Sequence, residues 1–159
     1  MSLFNYKKRD VFRGDENGLG LAEALDKYSY QKIIINLGIN DVGYPMDSLI
    51  SQYEDLVEMI KEKQPDASII VESIMTVGRE KEKEASYFKI DHIADINEQI
   101  RKMATRQRVY YIDENEFFAD EEGYLPGDSS WDGCHLTAEA CQFWVDWLCR
   151  KVTDLRIKM

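Results

Sequence analysis

The sequence predicts an α/β protein in which strands and helices alternate, so that a parallel sheet is covered on both faces. Three observations carry this expectation. Residues 32–37, 68–74 and 108–112 are short apolar runs rich in β-branched or aromatic side chains. Stretches of helical periodicity separate them. The first run stops abruptly at Gly38, with Asn40 and Asp41 just beyond, where an open α/β sheet places its ligands, past the carboxyl ends of its strands.

Taken in order, residues 1–13 read as a loop or irregular arm, with Leu3, Phe4, Val11 and Phe12 flanking the basic Lys7, Lys8 and Arg9. Residues 14–20 form a turn region, and residues 21–28 a short helix with Leu21, Ala24, Leu25 and Tyr28 on one side. In the run 32–37, Ile33, Ile34, Ile35 and Leu37 are apolar without alternation, which predicts a central strand buried on both faces. Pro45 and Asp47 start a helix whose Leu49, Ile50, Tyr53, Leu56, Val57 and Ile60 recur at spacings of three and four to about Lys63, before Pro65 and Asp66 end it. The second strand is 68–74. Residues 78–87 are charged and aperiodic, the pattern of a solvated loop.

Ile93, Ile96, Ile100 and Met103 then mark a helix over 91–105, and residues 108–112 the third strand. The connection 113–131 is long, acidic and pinned by Phe117, Phe118, Tyr124 and Leu125; loops of that length are usually functional. A last helix starts at Thr137, an N-cap followed by Glu139 in the first turn, and carries Ala140, Phe143, Trp144, Trp147, Leu148 and Val152 as core.

A chain of 159 residues suits a single domain, 1–159, and no repeat is visible. The net charge of −10 disfavours nucleic acid and anionic membrane surfaces, since both require a basic face, and favours a small neutral or cationic ligand. No apolar run approaches a membrane span, and the first ten residues lack the apolar core of a signal peptide. Cys134, Cys141 and Cys149 are odd in number and lack metal or redox spacing, so buried free thiols in a reducing, cytoplasmic compartment are expected.

Only two histidines need weighing. His92 sits among charges at a helix start and reads as a surface or capping residue. His135 follows Asp132 by three residues in a loop that leads into a helix, so the carboxylate can hold one imidazole nitrogen and leave the other to take a proton from a nucleophile. Asn40 and Gly38, past a strand end, can supply donors to a developing oxyanion, or can simply make a tight turn.

Together, the LGIND of residues 37–41 and the DGCH of residues 132–135 resemble the Gly-x-Asn-Asp and Asp-x-x-His blocks of the SGNH (GDSL-type) hydrolases. The resemblance runs from near residue 1 to about residue 150 and is closest to small bacterial GDSL-like esterases and acylhydrolases. It implies a flavodoxin-like three-layer α/β/α sandwich without metal or organic cofactor, and hydrolysis of small acyl or acetyl esters. In that scheme Asn40 and Gly38 form the oxyanion hole, His135 is the general base and Asp132 orients it. The family's Gly-Asp-Ser block has no counterpart: Gly14 and Asp15 are followed by Glu16, and Ser29, Ser73, Ser129 and Ser130 lack its setting after a first strand. Residues 1–6 resemble the segment just downstream of the family's second block, so the domain is expected to be incomplete at its N-terminus.

Two other functions stay open at this point. One is a binding domain that keeps the pocket without chemistry. The other is metal-assisted hydrolysis using Asp41, Asp132 and His135. A lost first strand would bare the edge of residues 32–37, predicting either a homo-oligomer through that edge or residues 1–13 folded across it.

Overall fold

The computed structural model describes residues 2–4, 6, 10–12 and 19–154. Strands β1 (Asp10–Phe12) and β2 (Leu19–Gly20) form a small antiparallel pair ahead of helix α1 (Leu21–Lys27). Strand β3 (Lys32–Ile35) then opens the main sheet, followed by α2 (Met46–Lys63), β4 (Ser68–Glu72), the short α3 (Arg79–Glu82), α4 (Ile90–Gln107), β5 (Tyr110–Ile112), the short α5 (Asn115–Phe118) and α6 (Ala138–Asp154). The sheet is parallel in the order β3–β4–β5, with Ile34 beside Ile70 and Ile70 beside Tyr110. The alternation expected from the sequence is therefore the architecture.

Two apolar layers sandwich this sheet. On one face Ile35, Ile69 and Val71 meet Leu49, Tyr53, Leu56, Val57 and Ile60 of α2 and Ile93, Ile96, Ile100 and Met103 of α4. Each such side chain contributes roughly 1.5–3 kcal/mol by leaving water. On the other face Ile70 and Ile112 meet Leu148 and Val152 of α6, with Trp144 and Trp147 alongside. A third cluster of Met75, Phe118 and Leu125 pins the long connection after β5 beneath Trp144 and Leu136.

Several expectations need correction. β3 is an edge strand among the described residues, not a central one; β4 is central, and Ile34 is 41% exposed where it was expected to be buried. Absence of alternation reports what a strand could bury, and β3 has a pairing partner on one side only. Residues 10–12 pair with β2 and do not cover β3, while Leu3 and Tyr6 enter the main core, so part of the supposed arm is structural. Cys141, Cys149 and Phe143 are exposed, because α6 sits on the sheet through Leu148 and Val152 and turns those three away from it. The third strand begins at Tyr110 because Arg108, at φ 54°, ends α4 in the left-handed region. Residues 78–87 are a short helix and a turn held by Arg79, which bridges Asp120 at 2.9 Å and Glu122 at 3.0 Å.

Candidate active site

The turn after β3 is built around one glycine. Gly38 has φ +119°, and a Cβ there would lie 2.7 Å from both Ile74 Cδ1 and Tyr53 Oη, so only glycine fits. The buried Tyr53 hydroxyl donates to the Leu37 carbonyl at 2.5 Å, which fixes the strand end from below. Ile39–Asp41 then form a single 3₁₀ turn that leaves Asn40 exposed and Asp41 fully buried. Asp41 accepts the Leu3 N–H at 2.9 Å and the Ser2 hydroxyl. Its carboxylate thus anchors the N-terminal segment and does not join Asp132 and His135, which removes it from the ligand set considered for a metal.

The second half of the site is the loop before α6. Gly133, at φ +78°, turns the chain so tightly that a Cβ would meet Lys81 Cβ at 2.8 Å. That turn folds Asp132 back over its own backbone: Oδ1 accepts the N–H groups of Cys134 at 3.0 Å and His135 at 2.8 Å, and Oδ2 lies 2.7 Å from His135 Nδ1. Ser130, buried in the same loop, donates to the His135 carbonyl at 2.7 Å. Burial works against the charge of Asp132, but the hydrogen bonds from His135 and from the two backbone amides outweigh it and hold the carboxyl well below its ordinary range. With Nδ1–H directed at that carboxylate, the neutral imidazole presents Nε2 as its basic nitrogen. Thr137 Oγ1 then accepts the Ala140 N–H at 3.2 Å and starts α6.

Cys134 is a neighbour the sequence reading did not place in the site. Its Sγ is 3.3 Å from His135 Nδ1, but burial and then the charge of Asp132 push the thiol up to about 11. At neutral pH it is a protonated thiol and a poor nucleophile. Asp132, Cys134 and His135 are the group of potential metal ligands among the described residues, with ligand atoms within 4.8 Å of one another. Those atoms already bond one another. His92, as expected, plays no part here: its Nε2 lies 3.1 Å from the Val42 carbonyl.

Asn40 and His135 come together across two cavities that meet at Ile39, Asn40, Cys134 and His135. One, of about 370 Å³, runs along the end of β3 between Asn36, Gly38, Met75 and Trp144. Ser73 is the serine on its walls, and its hydroxyl is committed: it donates to Asp113 at 2.9 Å and accepts the Glu114 N–H at 3.0 Å. The other, of about 410 Å³, lies between Gly43, Tyr44, Lys81, Tyr87 and Phe88. Sequence periodicity carried no signal for Lys81 and Tyr87, which sit in the charged segment after β4. Tyr44 was signalled only by its closeness to Asn40 in the chain.

Beneath the first cavity lies a polar network also unforeseen from the sequence. The Asn36 side-chain amide donates to Glu72 and to Glu114, each at 2.9 Å, and both carboxyls are buried. Burial raises Glu72, and burial followed by the nearness of Glu72 raises Glu114 well above the ordinary carboxyl range. Asn97 and Asn115 fasten the neighbouring chain after β4, bonding the Ile74 amide at 2.7 Å and the Thr76 amide at 2.7 Å.

Comparison with known proteins bears on the family and the fold. The model of the GDSL-like lipase/acylhydrolase family matches residues 10–143. A Streptococcus pneumonia structure provisionally described as a platelet activating factor superposes with a TM-score of 0.70 at 25% identity, covering 82% of this chain and 65% of that one. A GDSL-like lipase from Bacteroides thetaiotaomicron superposes at 0.67 and 15% identity, covering 98% and 70%. A family 3 carbohydrate esterase from Talaromyces cellulolyticus does so at 0.66 and 18%, covering 98% and 68%. The chain thus spans about two-thirds of the length of these structures. No curated protein matches the sequence. Among the described residues no helix is long and apolar enough to cross a membrane.

Proposed function

Because the chain belongs to the GDSL-like lipase/acylhydrolase family, we propose that it carries the base and oxyanion half of a serine ester hydrolase acting on small acyl or acetyl esters. The observation that supports this best is the clamped imidazole: His135 Nδ1 is held at 2.7 Å by Asp132, while the ring shares two cavities with Asn40. In this reading a serine hydroxyl gives its proton to His135 Nε2 as it attacks the ester carbonyl, and the imidazolium that forms is stabilised by Asp132. Asn40, with backbone at Gly38, stabilises the oxyanion of the tetrahedral intermediate. His135 then returns the proton to the leaving alcohol, and a water repeats the sequence to free the acid. In this reading the attacking serine is the one that the Gly-Asp-Ser block of the family resemblance implies. A binding domain without chemistry is the second reading, favoured by the engagement of Ser73 with Asp113.

One comparison decides between them. The 159-residue chain and a version extended by the coding sequence upstream are assayed on a nitrophenyl acetate. The extended form should turn over, be blocked by a serine-directed phosphonate, and lose about 10³-fold or more on His135→Ala, with Asp132→Asn costing about 10²–10⁴-fold. The shorter chain should show little turnover. An extended form that is inert, or indifferent to His135→Ala, would establish the binding reading instead.

A further inference from the structure

We propose that the cavity between Tyr44 and Tyr87 is a carbohydrate subsite, seating one sugar ring as the alcohol half of an ester whose carbonyl lies between Asn40 and His135. The term "alcohol half" rests on the hydrolase reading; the binding of a sugar there does not, since it requires no nucleophile.

The walls carry the argument. Tyr44 is 49% exposed and Tyr87 42% exposed, so two large aromatic faces are left to water within a cavity that also borders His135. Neither ring is loose. Tyr44 stacks on Phe4 with ring centroids 4.1 Å apart and planes 21° apart. Tyr87 meets Phe88 edge-on at 4.7 Å, and a Cβ at Gly43 would touch its ring at 3.4 Å, so the ring lies against the turn that follows Asn40. Ordering these rings costs entropy in the free protein, and that cost lowers the penalty for a ligand that stacks on them. Around the rings stand groups suited to hydroxyls: Asn40, Asp132 and the ammonium of Lys81, which Glu84 holds at 2.7 Å above the Phe88 ring. Aromatic faces ringed by a few polar groups fit a flat polyol whose C–H faces stack and whose rim hydrogen-bonds.

Other occupants match less well. A long acyl chain calls for an enclosed apolar slot, whereas this cavity, beside Ile39, Val42 and Phe88, presents Asn40, Lys81, Asp132 and His135 and leaves its two tyrosines half-exposed. A phosphate or carboxylate would meet Asp132 and Glu84 beside the single ammonium of Lys81, within a protein of net charge −10. The volume of about 410 Å³ lies within the range of small-molecule sites.

The test uses the 159-residue chain and needs no turnover. Methyl β-D-xylopyranoside, methyl β-D-glucopyranoside and, separately, octanoate are titrated into ¹⁵N-labelled protein. At least one glycoside should shift the amides of Gly43, Tyr44 and Tyr87 in a saturable way. Tyr87→Ala should weaken that binding about threefold to tenfold, while Tyr87→Phe, which keeps the ring face, retains most of it. Tyr87 is exposed, so both variants should fold, and an unchanged amide spectrum elsewhere checks this. Saturable shifts with octanoate alone would overturn the assignment in favour of an acyl subsite. Glycosides that leave these amides unmoved, or bind equally well to Tyr87→Ala, would also overturn it. Failure here leaves the His135 experiment untouched, because that one uses an ester without a sugar.

Discussion

The carboxyls of Glu72 and Glu114 hold their protons more tightly than free carboxyls do. Both are buried, and they face one another across the Asn36 amide, with Trp144 beside Glu72 and Asp113 beside Glu114. A carboxyl raised in the folded state takes up a proton more readily there than in the unfolded chain. Its contribution is therefore complete below the unfolded value of about 4.3 and is lost as pH rises through the folded value. Carboxyls held low, such as Asp132, act in the opposite sense, so the difference between variant and wild type is the informative quantity. Glu114→Gln keeps an oxygen for Asn36 and removes the titration. Urea unfolding at a series of pH values should show wild type losing stability relative to Glu114→Gln as pH rises from about 4.3, the unfolded value, until the raised folded value is passed. Parallel curves for the two proteins would mean that the pair does not titrate in this way. At this scale the sequence was legible only where spacing was short. Asp132 and His135 are three apart, and one turn brings them together. Glu72, Glu114 and Asn36 are tens of residues apart and meet only because three parallel strands end at one level, which no local pattern announces.

The elements themselves were largely readable, since α2 and α4 each repeat apolar residues every three or four positions and each buries that stripe against the sheet. What periodicity could not supply was which neighbour each strand has: the unbroken apolar run predicts a central strand, whereas the edge position of β3 follows the expectation drawn from the family resemblance. Its decisive feature is the stop. Gly38 at φ +119° lets the chain pass between Ile74 and Tyr53 and present Asn40, and a methyl group there would overlap both. Gly38→Ala should cost about 2–4 kcal/mol from backbone strain and overpacking combined. It should also displace the Asn40 turn, visible as amide shifts at residues 39–43. A loss of less than about 0.5 kcal/mol in urea unfolding would show that the turn relaxes cheaply and that the glycine is not required.

Across the whole molecule, the sheet pairs on one side of β3 and not on the other among the described residues. That edge offers backbone donors and acceptors next to Ile33, Ile34 and Ile35, with Lys32 as its one charged residue, and edges of this kind invite pairing with another chain. Strands β1 and β2 pair with each other, and no described strand pairs with that edge. A second copy, related by a two-fold axis, would pair β3 antiparallel to itself and shelter Ile34. The net charge of −10 on each copy resists this approach, so association should strengthen as salt screens the repulsion. We expect light scattering to show dimers or larger soluble species of the 159-residue chain, more populated at high salt, and Ile34→Lys to return them to monomer. Hydrogen exchange on the same samples ties the mass to the strand: the amides of residues 33–35 should be protected in the assembled protein and exchange faster in Ile34→Lys. A soluble monomer in which those amides exchange rapidly would show that the edge stays open and unpaired.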